Sequence, residues 1–212
     1  MTKITRLSLV MEDIEQSCVQ EMINMMLNAE NVKLEVLQCT RREGGKPIDQ
    51  IVDLIKANEE TLKIIGRIGV VEAARSFSSK ICLKRLSLMT LDLSMDVTSY
   101  EIKDELRAVQ TSGAQFEHLS YTSFEGFDPT DDRIQDFLEI CGVRSLRLTM
   151  MQAPQFATRP DGYMHGKVRS INHLEIGEVV DKPAHYNRLV VHEKIYKKVF
   201  PNVAHVTFFQ NW

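Results

Sequence analysis

The sequence predicts an α/β solenoid, with a parallel sheet of stacked strands on a concave side and helices on a convex side. Three observations predict it. The rhythm φ-x-x-φ-x-φ, where φ is apolar, can be placed eight times along the 212 residues. Its starts are Ile4, Leu34, Leu62, Leu83, Phe116, Val143, Ile171 and Val203, about 28 residues apart on average. The intervening stretches carry apolar residues near helical spacing. In a chain that is 43% hydrophobic such a hexad arises readily by chance, so the alternation with helices carries more weight than any single copy.

Each element follows in chain order. "ITRLSL" is the first strand, and "MEDIEQSCVQEMINMMLNA" the first helix, with Met22, Met25 and Met26 filling its core face. "LEVLQC" is the second strand, where Cys39 takes the third apolar slot as a small buried hydrophobe. "KPIDQIVDLIKANEE" brings Ile48, Ile51, Val52 and Ile55 to one helix face. "LKIIGR" fits least well: its unit is short, and Arg67 stands where the third apolar residue belongs.

"LKRLSL" and "FEHLSY" flank the helical stretch "SYEIKDELRAVQ". "TDDRIQDFLEIC" is a helix with early acidic residues that suit its N-terminus; Thr130 or Asp131 caps it, and Cys141 ends its apolar stripe. "VRSLRL" and "INHLEI" flank 151–170, whose Pro154, Pro160 and Asp-Gly read as an irregular loop. "HYNRLVVHEKIYKKVF" is a basic amphipathic helix packed by Leu189, Val190 and Ile195, followed by "VAHVTF". No Gly-, Ser- or Pro-rich linker divides the chain, so residues 1–212 read as a single irregular domain of about eight strand-containing units.

In "IVDLIKANEETLKII" and "IQDFLEICGVRSLRLTM" an amphipathic helix, a short polar turn and the hexad follow one another. On these segments the sequence resembles leucine-rich repeat proteins of the long, helix-containing type, whose period is ~20–29 residues. The closer likeness is to the repeat domains attached to F-box proteins, although no F-box is found and the Asn or Cys that follows the strict hexad is mostly absent. The resemblance implies a noncatalytic protein–protein interaction domain, serving in substrate recognition or as an adaptor in a ubiquitin ligase pathway.

Side chains alternate along a strand, so the third, fifth and seventh positions of each unit face out of the concave side. The series is Arg6, Ser8, Val10; Val36, Gln38, Thr40; Ile64, Gly66, Ile68; Arg85, Ser87, Met89; His118, Ser120, Thr122; Ser145, Arg147, Thr149; His173, Glu175, Gly177; His205, Thr207, Phe209. From it, Arg6, Gln38, Arg85, Ser87, Met89, His118, Ser120, Ser145, Arg147, His173, Glu175, His205 and Phe209 are the candidate protein-binding residues. The face has three arginines, three histidines and one acid in a chain of net charge −3, which points to a partner of acidic or hydrogen-bonding character. The alternative is that these are solvated strand residues without a partner. Terminal repeats need a polar cap. The expectation is therefore either a chain cut from a longer protein or an end covered by another subunit, with Phe209 and Trp212 forming a C-terminal contact edge.

Other chemistries find little purchase. The net charge gives no global call for nucleic acid, though a local basic patch leaves an RNA-associated regulatory scaffold as the alternative function. An α/β enzyme is the third reading, and it requires a closed pocket with convergent polar groups. No Ser–His–Asp set or acid pair can be assigned by spacing. In "IIGRIGVVEAA", Gly66 and Gly69 occupy two places of a GxGxxG fingerprint, but Ile64 holds the first, so a tight repeat turn is expected and no cofactor. His118, His173 and His205 share a column without the Cys partners a zinc site favours; a histidine pair that weakens partner binding when protonated is the preferred role. The four cysteines form no CxxC and read as reduced thiols. No apolar run nears the ~18 residues of a membrane span. "MTKITRLSLVMEDIE" is too short and too quickly acidic for a signal peptide. The expected location is cytoplasmic or nuclear, away from membranes.

Overall fold

A computed structural model describes residues 3–11, 14–40, 48–89, 99–123, 132–150, 168–178, 193 and 196–210. The chain forms two compact units, 1–116 and 117–212. The first contains β1 (Ile4–Val10), α1 (Gln16–Leu27), β2 (Val32–Thr40), α2 (Asp49–Ala57), β3 (Ile64–Gly69), α3 (Val70–Ser76), β4 (Cys82–Met89) and α4 (Ser99–Thr111). The division falls inside β5 (Gln115–Ser123), which is followed by α5 (Asp132–Ile140), β6 (Ser145–Met150), β7 (His173–Glu178) and β8 (Val206–Gln210).

The protein is therefore a mixed α/β chain built on open, parallel strand ladders. Sheet order repeats chain order, β1-β2-β3-β4 in the first unit and β5-β6-β7-β8 in the second. Parallel neighbours need a crossover, and α1, α2, α3 and α5 occupy crossovers between successive strands. Backbone bonds also link the beginnings of successive strands, Lys63 N–H to Glu35 O (2.9 Å) and Lys84 N–H to Lys63 O (2.8 Å). Arg144 N–H to Glu117 O (3.0 Å) and Asn172 N–H to Arg144 O (2.9 Å) repeat the arrangement in the second unit. Among the described residues no helix is long and apolar enough to cross a membrane.

The hexads supply the core. Leu34, Leu37 and Cys39 in β2, Leu83, Leu86 and Leu88 in and beside β4, and Val143, Leu146 and Leu148 in and beside β6 are all buried. So are the hexad residues Phe116, Leu119 and Tyr121, and Ile171, Leu174 and Ile176. Burying each such side chain contributes about 1.5–3 kcal/mol. The first strand is less covered, with Ile4 40% exposed against 3% for Leu9. On the helices, Ile48, Ile51, Val52 and Ile55 are buried together as their spacing predicts, with Leu54 beside them. In the first unit α1 packs on α2, α2 on α3 and α3 on α4.

Polar groups inside are matched to backbone. Asn58 accepts Leu34 N–H at Oδ1 (2.8 Å) and donates from Nδ2 to Leu54 O (2.9 Å). Glu72 is fully buried and accepts Gly69 N–H (2.7 Å) and Ile48 N–H (3.1 Å), joining the start of α3 to the start of α2. After α5 the chain turns at Gly142, with φ 70°. Gly142 N–H bonds Glu139 O and Val143 N–H bonds Leu138 O, a Schellman closure that needs the left-handed conformation glycine adopts cheaply.

The structure corrects three expectations. The stretch 64–74, expected as a tight repeat turn, is instead β3 running directly into a helix, α3, without a loop. Ile68 does not face out but is 1% exposed. Arg67 has φ 56°, and the β3–β4 register shifts between Ile65 and Ile68, so the arginine turns to solvent and Ile68 takes the third apolar slot beside Leu88. Met25 is 65% exposed, because Val19 and Ile23 already provide the buried stripe of α1. The expected cap at Thr130 or Asp131, the loop 151–167, and Leu189, Val190, Ile195 and Trp212 lie outside the described residues.

Candidate outward face of the strand ladders

The candidate residues are placed by strand register, so each unit presents columns of side chains at the strand spacing of about 4.8 Å. In the first unit one column reads Arg6, Val36, Ile64, Arg85. The next reads Ser8, Gln38, Gly66. Arg6, Gln38 and Arg85 are exposed; Val36, Ile64 and Ser87 are half-buried. Met89 pairs with Gly69 at the end of the β3–β4 ladder.

In the second unit the columns read His118, Ser145, His173, then Ser120, Arg147, Glu175, Thr207, then Thr122, Thr149, Gly177, Phe209. His173 is exposed, whereas His118, Ser120 and Ser145 are half-buried. His205 is exposed just before β8. Its neighbour Val206 pairs with Leu174, which sets His205 level with His173.

Four of these residues meet. The Arg147 guanidinium lies 4.0 Å from the centre of the Phe209 ring. Arg147 Nη1 is 3.6 Å from Glu175 Oε2, and His173 Nε2 is 3.2 Å from Glu175 Oε1. Gly177 makes the first contact possible. A Cβ there would stand 2.3 Å from Phe209 Cε2, so only a glycine lets the ring cross its own strand neighbour toward Arg147. The arginine is thus held on a ring and a carboxylate while 49% of its side chain stays exposed. Each exposed cation–π contact contributes about 0.5–1 kcal/mol, enough to narrow the arginine's orientations.

The residues of this cluster are legible in the sequence; their convergence is not. Arg147 and Phe209 lie two strands apart in different columns, and pairing rules address direct neighbours. The available signal was Gly177, whose place in the series sets it beside Phe209.

The former nucleotide-loop candidate is accounted for by Glu72. Its carboxylate receives the Gly69 N–H at the start of α3, where a phosphate would otherwise receive it. Among the described residues no three His, Cys, Asp or Glu side chains converge as metal ligands. The face offers ion pairing, hydrogen bonding and aromatic stacking. No protein-family model matches the chain, and no curated protein matches it.

Proposed function

We propose that this protein is a noncatalytic, leucine-rich-repeat-like solenoid that holds another protein on the concave, outward face of its strands. The observation that carries the reading is the Arg147–Phe209–Glu175–His173 cluster. It is preorganised yet accessible, and arginines and aromatic rings dominate the energetics of protein interfaces. The apolar hexad residues are consumed by the core, which leaves the alternate positions to act as a surface. Substrate recognition or adaptor work in a ubiquitin ligase pathway is the setting that the resemblance to F-box-associated repeats implies.

The test is affinity capture with the intact chain beside a folded Arg85→Ala/Arg147→Ala/His173→Ala variant. A set of specific partners lost with the variant is expected, with ubiquitin ligase subunits or their substrates among them. Retention of every specific partner rejects the outward face. Loss of partners with no ligase component among them rejects the pathway alone.

A further inference from the structure

We infer that the outward face of the first unit takes an extended acidic segment of another protein, with the pattern acid-x-apolar-x-acid. The inference rests on the proposed docking role of this face and specifies the chemistry of what docks.

The column Arg6, Val36, Ile64, Arg85 is held in direct register. Its ends are exposed cations and its middle is a half-buried pair of β-branched side chains. Neither Arg6 nor Arg85 has an ion-pair partner among the described residues. By contrast, Arg147 of the second unit is already engaged by Glu175 and Phe209. Beside the column, Glu35 is taken by Lys63 (2.9 Å), while Lys84 is exposed. The local surplus is positive although the whole chain carries −3. Oppositely charged groups steer encounter and fix register, whereas like charges in the same place repel.

Spacing then selects the conformation. Three strand intervals separate Arg6 from Arg85, about 14 Å. An extended chain advances about 3.3 Å per residue, so carboxylates four residues apart span about 13 Å. In that conformation residues i, i+2 and i+4 share one face, which sets the central side chain over Val36 and Ile64. A helix rises only about 1.5 Å per residue, so the same two acids would span about 6 Å and reach one arginine only.

The experiment uses the full chain and a fluorescein-labelled peptide, Gly-Ser-Asp-Ser-Leu-Ser-Asp-Ser-Gly, followed by fluorescence anisotropy at low ionic strength. Binding is expected to weaken by about tenfold or more when the central Leu becomes Ser, when both Asp become Asn, or when two residues are inserted between the acids. Arg6→Glu/Arg85→Glu is expected to abolish binding and to gain binding to the peptide carrying Lys in place of both Asp. Both arginines are exposed, and unchanged far-UV circular dichroism verifies the fold of the variant. Equal affinity for the lengthened peptide, or undiminished binding by the double variant, overturns the inference. Partners lost with the Arg6→Glu/Arg85→Glu variant but not displaced by the peptide also overturn it, while the docking role of the outward face survives. Retention of every specific partner by the Arg85→Ala/Arg147→Ala/His173→Ala variant removes the docking role itself, and the inference with it.

Discussion

Replacing Asn58 by Ala removes a tie on which the placement of β2 depends. Between Val32 and Val36, β2 carries two residues more than β1 does over the matching Ile4–Arg6 step. Leu34 lies inside this irregularity, is fully buried, and gives its N–H to Asn58 Oδ1. The alanine leaves that amide buried without an acceptor, a cost of about 2–3 kcal/mol, and loses the bond to Leu54 O, worth about 1 kcal/mol net. The expected destabilisation is about 3–4 kcal/mol, a large share of the 5–15 kcal/mol typical of a folded domain. Urea denaturation followed by far-UV circular dichroism measures it. With an m-value of about 2–3 kcal/mol/M, the midpoint falls by about 1–2 M at unchanged m. Thr61→Val supplies an internal control, since Thr61 Oγ1 donates to Leu34 O (2.7 Å) on the same peptide segment. It is expected to cost about 1 kcal/mol and to combine non-additively with Asn58→Ala. A loss below about 1 kcal/mol for Asn58→Ala would refute the assignment of the irregular backbone to this side chain.

Further outcomes follow from the same contacts. Glu72→Ala orphans the amides of Gly69 and Ile48 and is expected to cost about 3 kcal/mol or more, read by the same denaturation. Gly177→Ala drives the Phe209 ring off Arg147; nuclear magnetic resonance of the ring protons is expected to report the displacement, and unmoved shifts contradict the packing. Ellman titration of the native protein at pH 8 is expected to label Cys18 and Cys82, which are exposed, and to reach Cys39 and Cys141 only after unfolding. Burial pushes the Cys141 thiol from 9.0 up to about 12. The unfolded chain therefore loses that proton first. The thiol's contribution is constant below pH 9.0 and declines from there toward about 12, and Cys141→Ala is expected to remove this part of the alkaline slope.

The repeat of apolar triplets marks where the eight described strands begin, because a strand buried on one face must show its period in one dimension. The stripe in "IDQIVDLIKA" did the same for α2, and Cys39 and Cys141 were legible as core residues from their slots. The third unit was not legible. Its inserted Arg67 breaks the hexad, and only the fold shows that a local left-handed residue restores the pattern by passing the slot to Ile68.

Alternation along a strand is a local property, so the order of residues already separates most buried strand positions from outward ones; Ile68, passed inward by the left-handed Arg67, departs from it. Which of the outward residues meet is set by packing in three dimensions. Arg147, Glu175 and Phe209 come from three strands, and their contact depends on register and on the missing Cβ of Gly177. The burial of Asn58 and Glu72 likewise depends on the fold, which brings the amides of Leu34 and Ile48 against them. Contacts made across 24 residues of chain are set by packing in three dimensions, which a linear period does not encode.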